Sequence, residues 1–287
     1  THTMATVYFC TKAFVDPTLP VNEGLYRTIS AIAPPGSIVN PLPPGGVSSR
    51  NLTSMILADA ILNTFSQAAP ERSMAAGGSY QGIILAGQDP QRSRYYVDYE
   101  NFAGGQGGTA RGDGTDVYQL HMTNTSNLPI EVMEVEFPIR VERYEMITGS
   151  GGAGRHRGGL GFFRDLRILA PNTELANRSA RQKFAPPGLD GGGDGSLGSF
   201  WLDSASGEQV KLPSTCSEYP LATGDLLRIA TPGGGGYGDP ITRDPAAVVR
   251  DVREGKITIN DARDTYAVAI DAHGMLDAPR TTRLRER

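Results

Sequence analysis

The sequence predicts an α+β fold, a β-rich mixed body with glycine-rich loops and peripheral helices. Three observations carry that expectation: apolar residues recur at helical spacing over 52–69, strand-like apolar and aromatic runs fill 82–168, and glycine clusters at 149–163, 186–198 and 231–240 punctuate the second half. With 287 residues, 39% hydrophobic and 20% charged, the chain is long enough for a real core and reads as globular rather than disordered.

In chain order, residues 4–14 read as a mostly apolar helix, and DPTLPVNEG at 16–24 breaks it with two prolines and a glycine. Five prolines between 33 and 49 keep the next stretch extended. The helix at 52–69 lines up Leu57, Ile61, Phe65 and Ala68, with Ser49 or Asn51 as its cap and Pro70 closing it. Ile83–Leu85, Arg94–Tyr99 and Ile130–Met146 read as strands, the last bent or split near Pro138 because proline cannot serve a central ladder. YQLHMTN places His121 on a strand as well, and LGFFRDLRIL, FWLDS and Asp225–Ala230 follow as strands. Asp244-Pro245 opens a helix in the usual cap and first-turn order, Thr258 with Asp261 makes a capping box for a last helix, and the pattern after Ala269 is weak and reads as frayed. No clean linker appears, so 1–240 are expected to form the β-rich body, with 241–287 a helical segment packed on it.

A net charge of −4, with no dominant basic face, argues against nucleic acid as a partner. No apolar run approaches the roughly 18 residues a membrane span needs, no signal peptide is visible, and two distant cysteines, Cys10 and Cys216, fit a reduced, cytoplasmic protein. The chain opens at Thr1, which reads as a cut from something longer or as an autoprocessed threonine nucleophile.

The densest stretch is GSGGAGRHRGGLGFF at 149–163, with seven glycines and with Arg155 and Arg157 flanking His156. It reads either as a crossing where backbones pack closely or as a cradle for an anion, and it lacks the Gly-Lys-Ser/Thr of a P-loop. GGQGGTARGDGTD at 104–116 offers Asp113 and Asp116, as a carboxylate-stabilised turn or as a ligand-contacting loop. In NLPIEVMEVEFP a strand would put Glu134 and Glu136 on one face and Glu131 on the other, as a solvated face or as acid–base or metal-binding groups. The four histidines lack the short spacing of a helix-borne metal site, His121 reads as a structural histidine, and no Gly-x-Ser-x-Gly elbow is present.

Taken together, DPTLPVNEGLYR, IAPPGSIVNPLPPGGVSSRN, NLPIEVMEVEFP, SGGAGRHRGGLG and GDLLRIATPGGGGYGDPITRDPAAVVRDVREGKIT resemble, in this order, the hydantoinase B/oxoprolinase family over about residues 8–270. The resemblance implies one subunit of a hetero-oligomer whose partner, a hydantoinase A-type subunit, binds ATP and Mg in an actin-like fold. It implies ATP-dependent opening of a cyclic amide such as hydantoin, 5-oxoproline or a lactam. A subunit of an acetone- or acetophenone-type carboxylase, or a non-catalytic structural half, are the alternatives. Family motifs like GGTHLPD and HHADIGG, which supply metal ligands, are absent, so the chain resembles the C-terminal half of the B-type subunit. A divalent metal is then expected on the N-terminal half, a second partner, with no metal ligand on this chain. The family's YGV becomes Tyr266-Ala267-Val268, expected within the final helix. Matching motif positions nominate Asp113 and Glu134 as catalytic residues and Asn22, Arg50 and Arg155 as substrate-binding residues, with Gly24 and Glu131 alongside them.

Overall fold

The first helix, α1 (His2–Val15), packs on the long helix α3 (Arg50–Ser66); between them lie the short α2 (Glu23–Arg27) and an extended, proline-rich arm. The structure is a computed structural model that describes residues 2–286, so a nucleophile at Thr1 falls outside it. Ser49 sits at the cap of α3 without a side-chain cap bond. The buried face of α3 is Met55, Ala58 and Leu62, one step round from the expected Leu57/Ile61/Phe65/Ala68 stripe, because Ala58 and Leu62 close on Cys10 of α1.

Two antiparallel sheets form the body. One runs β2 (Arg94–Phe102), β1 (Gln81–Asp89), β5 (Thr173–Ser179), β8 (Thr215–Leu221). The other runs β3 (Ile139–Met146), β4 (Phe162–Ile168), β9 (Leu226–Ala230), β6 (Ser199–Asp203), β7 (Gln209–Lys211). Their inner faces share one core: Ile83, Leu85, Phe102 and Leu175 from the first sheet meet Phe162, Leu166, Phe200 and Ile229 from the second. Alternation along each strand supplies one apolar face per sheet, and two such faces bury each other as a sandwich. The α+β expectation is met.

Charged groups enter this core from β2 and β4. On β2 the inward positions are Tyr96, Asp98, Glu100 and Phe102. Arg164 of β4, fully buried, donates to Glu100 Oε2 at 2.8 Å and stands over the rings of Phe102 (5.4 Å) and Tyr144 (5.1 Å). Asp98 is 2% exposed and its Oδ2 has no partner; burial, reinforced by the neighbouring Glu100 charge, pushes its carboxyl up to about 7 against the opposing pull of Arg164.

The glycine clusters pack against one another without forming helices or strands. Gly105 donates to the Pro232 carbonyl, Gly159 to Gln106, Gly234 to Gly159, Gly152 to Gly234 and Gly193 to Ala153, all at 2.7–2.9 Å. A side chain at Gly105 would collide with the Gly159 carbonyl, and one at Gly234 with the Gln106 carbonyl. Glycines three apart (Gly105 and Gly108; Gly192, Gly195 and Gly198) match the period of a polyproline II turn, which leaves its backbone groups to bond sideways. The 149–163 stretch is therefore a close backbone crossing.

Further local expectations are corrected. NLPIEVMEVEFP forms a helix, α4 (Ile130–Glu136), ahead of β3, so Glu131 and Glu134 lie a helical turn apart rather than on opposite strand faces. Met133 is its one buried residue, and Phe137 leaves the helix at φ −122° because Pro138 disfavours a helical predecessor. His121 is not on a strand: it adopts φ +59° in a loop. The tail is not frayed, because Asp277 caps a further helix, α7 (Ala278–Arg285), at 3.0 Å to the Arg280 amide.

The C-terminal segment also forms α5 (Pro245–Arg253) and α6 (Ile259–Asp264), with the expected Asp244 cap and Thr258/Asp261 capping box. Val248, Ile257, Ala262, Tyr266 and Val268 make a small core that Ala153 of the glycine crossing joins. Ala267 follows α6 instead of lying within a final helix and takes φ +52°, which accounts for a glycine in the family's YGV. Among the described residues no helix is long and apolar enough to cross a membrane.

Candidate functional site

Two groups of charged side chains are the candidates for the site. The first joins the glycine crossing to the C-terminal segment. Arg243 donates from Nη1 and Nη2 to Asp113 at 2.6 and 2.7 Å, from Nη2 to Asp251 at 2.7 Å, and from Nη1 to the Arg155 carbonyl at 2.9 Å. Arg157 grips Asp116 with two bonds, 2.8 and 3.2 Å, and faces Asp251 at 3.5 Å, while its amide donates to Asp113 at 2.9 Å. Arg157, Arg243 and Asp251 are each at most 3% exposed. Burial alone would raise the Asp113 carboxyl; the hydrogen bonds and charge of Arg243 outweigh it and hold Asp113 below the usual range. The same contest at Asp116 is decided by Arg157. Such a ring is a clamp: removing any one member leaves a buried charge without its counter-ion.

The second place is a cleft of about 700 Å³ at the start of α3, closed on one side by the proline-rich arm. Arg50 and Arg178 line it together with the hydroxyls of Ser48, Ser49, Ser54 and Thr215, and among the described residues no carboxylate does. Arg50 Nε donates to His2 Nε2 at 2.8 Å. Arg178 is steadied through the Asn177 carbonyl (2.6 Å) and Ser217 Oγ (2.9 Å). Two smaller hollows adjoin it around Tyr80, whose hydroxyl meets the Tyr99 hydroxyl at 2.7 Å and donates to Asn101 Oδ1. Beneath lies a buried triad: Asp59 of α3 binds His121 Nε2 at 2.9 Å and Arg181 Nη2 at 2.7 Å. The His121 ring nitrogen thus has its hydrogen-bond partner in the Asp59 carboxylate. Burial and then the Asp59 charge push the Cys10 thiol up to about 12, away from the thiolate form a nucleophile needs. The pairing of guanidinium groups and hydroxyls suits an oxyanion or a polarised carbonyl oxygen.

Of the five sequence candidates, the structure brings Asp113 and Arg155 together at Arg243 and places Arg50 in the cleft. The Arg155 side chain faces solvent. Asn22 caps α2 through the Gly24 and Leu25 amides at 3.0 and 3.3 Å. Glu134 accepts from the Val141 amide at 2.8 Å at the exposed end of α4. Sequence reasoning missed Arg178, Arg181, Asp59, Arg243 and Asp251. Arg243 carries a usable signal, because it lies in ITRDP directly after the third glycine cluster. Among the described residues no group of three or more His, Cys, Asp or Glu is placed to hold a metal ion.

A family model described as Hydantoinase B/oxoprolinase matches residues 1–240. The caprolactamase subunit beta of Pseudomonas jessenii is 32% identical over 96% of this chain and 49% of its own length. The crystal structure of the ATP-dependent caprolactamase from that organism superposes on 99% of this chain with a TM-score of 0.83 and 30% identity, covering 51% of that chain. A nucleotide-free acetone carboxylase structure shares the fold, with a TM-score of 0.62 at 22% identity over 77% of this chain and 34% of that one. The chain spans about half the length of the first curated relatives it matches. With the family match over most of its length and the same fold in the caprolactamase, the chain belongs to the hydantoinase B/oxoprolinase family.

Proposed function

We propose that the chain is the C-terminal half of a B-type subunit in an ATP-dependent cyclic amide hydrolase of the cytoplasm. It works with an N-terminal half and a hydantoinase A-type subunit that binds ATP and Mg, and the divalent metal belongs to the N-terminal half. The observation that supports this most is the likeness to the ATP-dependent caprolactamase over 99% of the chain. Acetone carboxylase, at 22% identity, shares the fold alone, so carboxylation is left as an outcome of the test.

In this reading the Arg50 and Arg178 guanidinium groups take up the charge that develops on the activated carbonyl oxygen or on a substrate carboxylate, and the surrounding hydroxyls orient the ring. The arm over the cleft limits water. Neither task needs a proton transfer from the arginines.

The test is ATP turnover by the assembled complex with hydantoin, 5-oxoproline and caprolactam. Stimulation by a cyclic amide supports the reading, and bicarbonate-dependent turnover with a ketone overturns it. Arg50→Ala is expected to raise KM for the stimulating amide by about tenfold, the worth of one lost charged hydrogen bond. Asp113→Asn and Glu134→Gln examine those two residues as acid–base groups: a fall in kcat with assembly intact would put them in the chemistry.

A further inference from the structure

A second cleft of about 630 Å³ adjoins the first and shares Ser179 with it. Its walls are the stretch after β5 and the stretch between β7 and β8, and Ile56 of α3 contributes to its lining. Arg181, Lys183 and Lys211 line it, and among the described residues no carboxylate does. That is a departure from a chain with 31 acidic residues, a net charge of −4 and lysine at four positions only. The Lys183 and Lys211 ammonium groups stand 5.5 Å and 5.7 Å from the Phe184 and Trp201 ring centroids, without an ion-pair partner among the described residues. Arg181 is 10% exposed at its side chain, its Nη2 is held by Asp59, and its Nε has no acceptor among the described residues. Arg181 also takes φ +61°, a conformation that costs a non-glycine residue energy and that the packing around it must enforce.

The apolar part of the lining is as distinct. Phe184 is 72% exposed, although the chain places it beside Leu212 and Pro213 in the same cleft. A cleft of this size, with a few charged groups above an apolar floor, has the make-up of a small-molecule site.

We infer that this cleft binds a small organic anion, with its phosphate or carboxylate group held by Lys183 and Lys211 in the field of Arg181 and its flat apolar portion laid on Phe184. The two lysines sit on mobile stems and act as point charges, so they accept either kind of oxyanion. Nothing in the ring-opening chemistry proposed above uses these residues, and the site stands or falls independently of it.

The experiment is calorimetric titration of the full chain with AMP as the phosphate probe, benzoate as the carboxylate probe and inorganic phosphate as the probe without a ring. Binding of AMP or benzoate that weakens at least tenfold in Lys183→Gln/Lys211→Gln, and that falls steeply with salt, supports the proposal; the probe that binds identifies the anion. Phe184→Ala should weaken the ring-bearing probes and leave inorganic phosphate unchanged. Both lysines are exposed, so thermal unfolding of the double variant should match the parent. Lys183→Arg, which keeps the charge, should bind as the parent does. No binding of any probe at millimolar concentration, or equal affinity in the double variant, overturns the proposal.

Discussion

Replacing Asp98 by Asn should stabilise the protein at alkaline pH and do little at acid pH. The carboxyl is 2% exposed and is pushed up to about 7, from an ordinary 3.8, chiefly by burial and next by Glu100. Between those two values the folded chain keeps a proton that the unfolded chain has released. Folding stability therefore falls as pH climbs through that window and levels off above it. A displacement of about three pH units at about 1.4 kcal/mol each amounts to a loss of about 4 kcal/mol by pH 8. An amide of the same shape carries no charge to desolvate, so Asp98→Asn recovers up to that amount at pH 8 and close to nothing at pH 4. Urea unfolding of parent and variant at pH 4, 6 and 8 reads the difference directly as a shift in midpoint. Parallel pH profiles, or a variant weaker than the parent at pH 8, would refute the account of Asp98 as a desolvated acid.

Other substitutions probe other parts of the fold. Arg243→Ala strands Asp113 and Asp251 and should cost about 3–5 kcal/mol, with limited proteolysis cutting between the body and the C-terminal segment before the body unfolds. Asp59→Ala leaves the buried Arg181 without its carboxylate, and a loss of similar size is expected in thermal unfolding. Gly234→Ala drives a methyl group into the Gln106 carbonyl and should abolish soluble folding, whereas Gly46→Ala, with open space around it, should behave as the parent in expression and melting. Ala267→Gly relieves a left-handed alanine and should add about 1 kcal/mol, read from the urea midpoint; an unchanged or lower midpoint counts against strain there.

Local patterns were readable where one face of an element decides its burial. β1 and β4 announce themselves as apolar runs and β2 as an aromatic-rich one, and α5 and α6 announce their caps in the residues Asp244, Thr258 and Asp261. α4 misled because IEVMEVE alternates as a strand does, while its fold depends on a single buried contact, Met133. α7 was hidden by its polarity: Thr281 is its one buried residue. At the candidate site Arg50 could be read from its motif, but Asp59 meets His121 across 62 positions and Arg181 across 122. No local spacing encodes such partners, and the left-handed backbone of His121 and Arg181 is imposed by the packing around them.

The glycine crossing has a thermal consequence. It buries peptide groups against peptide groups where most interiors bury hydrocarbon, and hydrating polar surface lowers the heat capacity of the unfolded chain while hydrating apolar surface raises it. Opening this region should therefore add little or nothing to the heat-capacity increment of unfolding. The stability curve is flattened in proportion, so the protein's resistance to unfolding should change less between cold and warm conditions than the sandwich core alone would dictate.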